Sequence, residues 1–569
     1  MYEPTPEQTK ILCCDSNCVV AAGPGSGKTS TISHKINLAL NDLRWFQGVI
    51  AISYTNKASN ELKRKTERIC HDLKNSFFGT IDSFYISNII IPFGKRFFGI
   101  PNQHITIEKF ENVDKDYIEE IKYLLEQILD RYKGVTIEDL EKNNIKPIEQ
   151  ILSRDFEFIA RNFIQGRFDL RLVGHIANLI FLSSKSCRRY FKARYKYLFI
   201  DEFQDSGLEQ YYLFLRISEI GIVSWAIGDV NQSIYRFAEK SSKYLAKLMQ
   251  IKQFEYLPMT KNHRCHPSID YYSKKLLNPD MKNNEHVVKD IRVFEAYIEG
   301  NEKDIGSWLD NELEKIKQSF NVLSNSKIGV LARYDRTLNF FVEGLRTPYK
   351  LHVKTNLDDD QSFLGALFRK LLAFAFDHNK TAYSFIDEYF DRESPKDQFK
   401  INRVKELLAS LRGHCDAFLN KKGNLLESIT EIFSDIALII YPNINSSRSI
   451  SNLKLVLADE KQLMVYKPAE PNQIQLMTLH KSKGLEFDIV IHVDLYQYVI
   501  PGYNWIVYED REEFIDSMNL HYVGITRARE AVIFAISSER YHSSSKEFRR
   551  AERSELLDGD IENYRLEWS

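Results

Sequence analysis

The stretch Ala22-Gly23-Pro24-Gly25-Ser26-Gly27-Lys28-Thr29 has the residue types and spacing needed to hold a triphosphate. Its glycines can take positive φ, so successive backbone N–H groups can curl round phosphate oxygens where a helix begins. Lys28 would reach the β- and γ-phosphates, and the Thr29 hydroxyl, followed by Ser30, would join a Mg²⁺ shell. The first position is Ala22 where the general pattern has Gly. A second candidate is Asp201-Glu202-Phe203-Gln204-Asp205, which follows the apolar run Tyr197–Ile200. That places Asp201 at the carboxyl end of a strand, where open α/β sheets keep their ligands. Asp201 suits a Mg²⁺ ligand and Glu202 a general base for the attacking water. Alone, such a pair is usually a solvated loop; beside a phosphate loop it becomes a site. Phosphoryl transfer also needs positive charge on the developing γ-phosphate. Arg264 in KNHRCHPS and Arg527 in HYVGITRARE are candidates, although each read singly is an ordinary surface arginine.

These residues need elements to position them. Cys18–Ala22 reads as a buried strand, then a helix near 28–40, a strand over 49–54 and an amphipathic helix over about 56–70. This alternation implies a parallel sheet covered by helices on both faces. Between about 86 and 186 the pattern turns mostly helical and charged; strands return at 197–200 and 223–227. A second set follows at 328–332, 474–479 and 489–493, interrupted by a helix-rich stretch from about 358 to 450. The expected architecture is α/β, with two lobes built on parallel sheets, each carrying a mainly helical insertion. The expected borders are 1–86 with 187–262 for the first lobe and 87–186 for its insertion. The second lobe takes 263–357 with 451–545, its insertion 358–450, and a tail 546–569. Within the second insertion, FLGALFRKLLAFAF reads as core rather than a partner surface, and the acidic run Asp358–Asp360 as a solvated loop cap. CRRYFKARYKYLF (187–199) interleaves basic and aromatic residues; its tail must be strand, so most of it reads as core or helix face, with DNA contact as the alternative.

Composition sets outer limits. The chain has 569 residues, 43% hydrophobic and 27% charged, enough for several soluble domains. Its net charge of −1 means that any nucleic-acid binding must come from local patches. There is no run of about 18 apolar residues and no basic-then-apolar leader, so neither membrane nor secretion is expected. Seven cysteines without a CxxC pair suit a reducing compartment, and the cytoplasm is the expected location.

The motifs taken in order resemble those of superfamily 1 helicases of the UvrD/Rep/PcrA type, over nearly the whole chain. The resemblance implies that the two lobes are RecA-like P-loop NTPase lobes. It also implies an ATP-dependent DNA helicase or translocase with 3′ to 5′ polarity, using ATP or dATP with Mg²⁺ held by Thr29 and Asp201. Gln8, twenty residues before Lys28, resembles the adenine-reading glutamine. SYTNKASNEL (53–62), with Tyr54, Thr55 and Asn56, and GTIDSF (79–84), with Thr80, resemble motifs that hold single-stranded DNA. GDVNQSIYRF (228–237) resembles the coupling motif, with Gln232 facing the γ-phosphate and Tyr235 and Phe237 on the DNA side. NHRC (262–265), IGVLAR (328–333), LMTLHKSKGLEF (476–487) and YVGITRA (522–528) complete the set. By family role Arg264 and Arg527 are arginine fingers, Glu486 meets the ribose, and Arg333, Thr478 and His480 contact DNA.

A narrower likeness is to GajB proteins, the helicase-like subunits of Gabija anti-phage systems. It rests on the chain length, FFGTIDSFYISNIIIPFGK and RYKYLFIDEFQDS. It implies a hetero-oligomer with an OLD-type nuclease carrying an ABC-like ATPase domain. Departures from the wider pattern are specific. Ser30 stands where many relatives have Arg against the adenine, His263 replaces a stacking Tyr, and Asp82 a common His. The second insertion lacks the GGxxFxxRxEIKD signature. That departure supports an alternative role, a DNA-end- or nucleotide-sensing subunit that controls a partner nuclease with little unwinding of its own.

Overall fold

The computed structural model describes the chain apart from residues 1–2, 104, 109, 111–114, 235–241, 283–288, 361, 391–394, 396, 420–424, 442–446, 543–544 and 569. Two parallel sheets organise it. The first contains β1 (Cys18–Ala22), β2 (Gly48–Ile52), β3 (Phe77–Gly79), β4 (Tyr195–Ile200), β5 (Val223–Gly228) and β6 (Glu255–Met259). Their order is β3-β2-β4-β5-β1-β6, all parallel. Because β1 lies inside the sheet, between β5 and β6, its side chains face protein on both sides. CVVAA is correspondingly apolar without alternation.

The second sheet contains β7 (Val293–Ile298), β8 (Ile328–Ala332), β9 (Tyr349–Leu351), β10 (Ile474–Thr478), β11 (Phe487–His492), β12 (Ala528–Ser537) and β13 (Leu566–Glu567). The order is β9-β10-β8-β11-β12-β7-β13, again all parallel. Each sheet buries one apolar cluster on each face. The two-lobe α/β expectation therefore holds. Sequence patterning missed β3, β6, β7, β9, β12 and β13; all but β12 are short or mix in polar and exposed residues, whereas β12 is ten residues long and mostly buried.

The insertions differ in kind. The first packs its helices, among them Lys115–Arg131 and Val173–Ser183, into the same apolar cluster that covers one face of the first sheet. The second, with helices Phe363–Phe376, Gln398–Leu419, Leu426–Ile440 and Ser447–Ala458, has its own core from Leu357 to Leu463, past the expected border. FLGALFRKLLAFAF is core, as read: Leu367, Phe368, Leu371 and Leu372 are fully buried. Each such side chain contributes about 2 kcal/mol. The acidic run needs correction. Asp360 is buried and accepts hydrogen bonds from the Ser362 hydroxyl (2.6 Å) and the Ser449 hydroxyl (2.6 Å), tying two helices together. The segment expected as a tail is also corrected: Leu556, Leu557, Ile561 and Tyr564 are buried in the second lobe. In 187–199, Cys187, Arg188 and Phe191 are buried, with Arg188 paired to Glu141 at 3.0 Å. No described helix is long and apolar enough to cross a membrane.

Two histidines lie in the second lobe's core, His492 on β11 and His521 on the helix Arg511–Ile525, both fully buried with rings 5.3 Å apart. Among the described residues neither nitrogen of His521, nor Nε2 of His492, has a partner. Burial pushes the His492 pKa down to about 3 and that of His521 well below its usual value, His521 also feeling His492 and Arg565. Above about pH 6.5 both are neutral folded or unfolded. Below it the unfolded chain takes protons that the core refuses, which costs about 1.4 kcal/mol per pH unit for each. In thermal melts, the midpoint of the His521→Leu variant is expected to fall less than the parent's from about pH 7 to about pH 5.

Candidate nucleotide cleft and DNA face

The turn after β1 opens α2 (Lys28–Asn41), with Gly27 at φ 83° as its N-cap. Gly25, at φ 67°, is needed twice over: a Cβ there would lie 2.3 Å from Asn262 Oδ1 and 2.6 Å from Arg264 Cβ. The loop is thus pressed against NHRC, and His263 N–H donates to the Gly25 carbonyl at 2.9 Å. Asn262 Oδ1 in turn accepts from the Arg264 N–H at 2.8 Å, which fixes where that arginine starts.

A cleft of ≈ 720 Å³ lies over this loop. Its first-lobe wall includes residues 23–30, Asp201, Glu202 and Gln232; the opposite wall includes Glu486 and Arg527, with His263 and Arg264 at the join. Lys28 Nζ is 3.9 Å from Glu202 Oε1 and donates to the Ala22 carbonyl at 3.3 Å. Asp201 is buried at the end of β4, and burial with Glu202 beside it pushes its pKa up to about 7. Burial acts the same way on Glu202, but Lys28, Lys483, Gln204 and Arg527 outweigh it and hold that carboxyl below its usual value. Glu202 also carries φ 57°, a left-handed conformation costly for a non-glycine residue and often found at functional sites.

The arginines hold protein partners. Arg264 Nη2 lies 2.6 Å from Glu486, whose other oxygen takes Arg529 at 2.6 Å. Arg527, 2% exposed, donates to Gln232 Oε1 at 3.3 Å. Burial, and then the charge of Arg264, lowers the Arg527 pKa to about 10. Two guanidinium groups thus share a space that an anion would relieve.

Sequence reasoning passed over three further residues here. Lys483 reaches across to Asp205 Oδ2 (2.5 Å) and to the Gln232 carbonyl (2.9 Å); Arg529 lines the cleft beside Glu486. The signal was present, since Lys483 lies inside LHKSKGLEF and Asp205 inside DEFQD.

Gln8 lies against the phosphate loop. It is buried, its Oε1 accepts from the Thr5 N–H (2.9 Å), and its Nε2 donates to the Ser26 carbonyl (3.0 Å). These bonds fasten α1 (Pro6–Leu12) to the phosphate loop and leave one amide N–H and one oxygen lone pair of Gln8 uncommitted. Tyr54 and Thr55, expected on the DNA side, line the nucleotide cleft. The side chain of Asn56 and the whole of Tyr235 and Phe237 lie outside the described residues. Thr80 caps the helix Ile81–Phe84, its hydroxyl accepting from the Ser83 N–H at 3.4 Å. At the carboxyl ends of β8 and β10, Arg333 Nη1 stands 3.5 Å from His480 Nε2, with Thr478 buried beside them. Burial, and then Arg333, lowers the His480 pKa to about 4, so the ring is neutral at ordinary pH.

A model of the UvrD/REP helicase N-terminal domain matches residues 4–251. The chain is a UvrD/Rep-like helicase. ATP-dependent DNA helicase Rep of Buchnera aphidicola is 24% identical, over 95% of this chain and 94% of its own. Gabija protein GajB of Bacillus cereus is 24% identical over 94% and 95% respectively. Rep of Escherichia coli is 23% identical over 94% and 90%. UvrD/Rep-like helicases hydrolyse ATP, and the cleft described here has the shape and charge for it.

Because its amide fastens α1 to the phosphate loop, Gln8→Ala is expected to raise the KM for ATP and for GTP by the same factor, checked by steady-state turnover with each nucleotide. A larger effect on ATP would mean that Gln8 turns to read adenine.

Proposed function

We propose that this helicase moves along single-stranded DNA from 3′ to 5′, driven by ATP bound with Mg²⁺ between the two sheets. The observation that carries the reading is the placement of Arg264 and Arg527 on one cleft with Lys28, Asp201 and Glu202. Backbone N–H groups of 25–29 and the Lys28 ammonium hold the phosphates. Glu202 accepts the proton of the attacking water. Arg527 and Arg264 meet the charge that develops on the γ-phosphate, leaving Gln232 and Glu486 to do so.

The carboxylate of Asp201 and the hydroxyl of Thr29 are hard oxygen donors suited to Mg²⁺, and the raised pKa of Asp201 marks a buried carboxyl short of positive charge. Bound there, the cation would neutralise phosphate charge.

ATP draws the walls together because its γ-phosphate offers both arginines a better anion than the partners they hold without it; loss of that phosphate reverses the preference. Arg333, Thr478 and His480 stand at the carboxyl ends of the second-sheet strands, where a strand of DNA would feel the change. GajB-like length and coverage support a further assignment, to the NTPase subunit of an anti-phage complex acting with an OLD-type nuclease.

Strand displacement on duplexes with 3′ or 5′ tails tests the motor. Unwinding from the 3′ tail is expected, and turnover without movement or displacement would reject it in favour of a sensing subunit. Lys28→Ala is expected to abolish turnover, and Glu202→Gln to bind ATP normally yet hydrolyse it at least about 100-fold more slowly. Arg527→Ala should lower kcat by about 1,000-fold in a phosphate-release assay.

A further inference from the structure

Residues 185–196 carry Lys185, Arg188, Arg189, Lys192, Arg194 and Lys196 and no acidic side chain, in a chain whose net charge is −1. The helix Lys185–Arg194 is pinned by Cys187 and Phe191, fully buried in the core that the first sheet shares with its insertion. Its other face is open. Lys185, Arg189 and Lys192 are exposed there, and their i, i+4, i+7 spacing lines them up in one stripe. Lys196, the second residue of β4, extends the stripe, its ammonium donating to the Lys192 carbonyl at 3.4 Å. The neighbouring helix Ile91–Phe98 adds exposed Lys95 and Arg96, and Arg96 donates to the Ser186 hydroxyl at 3.4 Å.

Glu141, beside the stripe, is taken up by Lys185 (2.7 Å) and the buried Arg188 (3.0 Å). Among the described residues, Lys95, Arg96, Arg189, Lys192 and Lys196 have no carboxylate at ion-pair distance. Like charges gathered on one surface raise the local potential, which a polyanion lowers. Tyr190, the aromatic ring on this face, is already covered, by the Arg194 guanidinium at 5.6 Å and the Phe93 ring at 5.7 Å. Arg194 is itself fixed by Asn75 Oδ1 at 2.6 Å. The helix enters β4 at its amino end, whereas Asp201 follows its carboxyl end. Stripe and nucleotide cleft therefore lie a strand length apart, roughly 20 Å.

We propose that this stripe is a second DNA-binding surface, one that holds the phosphate backbone of a duplex. Ammonium and guanidinium groups on phosphates position a duplex without reading its sequence. A single strand is held by open aromatic faces on which its bases stack, and Tyr190 offers none. A protein partner would call for an apolar centre poor in lysine, whereas DNA interfaces are much more positively charged. Because the helix belongs to the first lobe's core, a duplex held here would move with that lobe. The stripe shares no residue with the nucleotide cleft or with Arg333, Thr478 and His480, so the inference goes beyond the motor reading and does not depend on it.

The test is fluorescence anisotropy of the full chain across a salt series, with a labelled blunt duplex and, separately, labelled oligo-dT. For the duplex, Arg189→Gln/Lys192→Gln is expected to flatten the slope of log K against log salt by about 1.8, at ~0.9 for each phosphate no longer neutralised. With affinity at about 1 M salt unchanged, that amounts to roughly 60-fold weaker binding at about 0.1 M. Arg189→Lys/Lys192→Arg keeps both charges and is expected to keep the parent's slope. Oligo-dT affinity and DNA-free ATP turnover should stay at the parent's values in both variants. Unchanged duplex affinity and slope in the Gln variant would overturn the assignment, as would an oligo-dT slope that flattens equally. Labelled poly-glutamate separates the partners: its binding lost in the Gln variant, with duplex binding at the parent's value, would make this an acidic-protein site and reject the duplex. A parent that binds no duplex overturns the proposal and leaves the motor reading to strand displacement.

Discussion

A guanidinium removed from water must be given an anion, and Arg527 is where this requirement is sharpest. It is buried beside a second arginine, with the neutral amide oxygen of Gln232 as its acceptor across the cleft. Its other acceptors, the Val523 and Leu485 carbonyls and the Thr526 hydroxyl, are neutral too, so a phosphate would offer it the opposite charge that these lack. Arg264 is better satisfied, but by a carboxylate that it shares with Arg529. At these two arginines the walls are held by contacts that a triphosphate can replace, while Lys483 to Asp205 and Tyr522 to Asp229 tie the lobes beside them. A cleft with displaceable ties can respond to its ligand, whereas one joined by an apolar core could not.

The second constraint is steric. Gly25 has no room for a side chain against Asn262 and Arg264, and Gly27 lies against the Gln8 amide. The phosphate loop is thus clamped from behind by α1 and from the side by the chain that leads into the second lobe. Its backbone is shaped before any ligand binds, which lowers the ordering cost of binding. The same clamp accounts for the position of Gln8.

The insertions follow a similar logic of shared and separate cores. The first insertion is continuous with an apolar face of the first sheet and must move with it. The second has its own core and touches the first lobe at few places, among them Asn60 to Glu388 at 2.9 Å. Asn60 lies on the helix Asn56–Glu67, which also lines the cleft. A body with an independent core and a light contact can shift without disturbing the packing of either lobe.

Much of this was legible in the residues alone. The apolar runs of β1, β4 and β8, the glycines of the phosphate loop and the spacing of the motifs depend on near neighbours. Local sterics and side-chain periodicity decide such features, so the α/β architecture and the phosphate-loop wall of the cleft could be read directly, whereas the opposite wall was expected only from the family resemblance. Strands with exposed or mixed faces could not, because their pairing comes from the sheet around them. Tertiary structure alone decided that the Gln8 amide fastens the phosphate loop, that Asp360 is buried, that residues 556–564 complete the second lobe's core, and which group each arginine holds. Those outcomes turn on competition among partners up to 295 positions apart. A sequence names the competitors; only the folded distances, and the water excluded between them, determine which one wins.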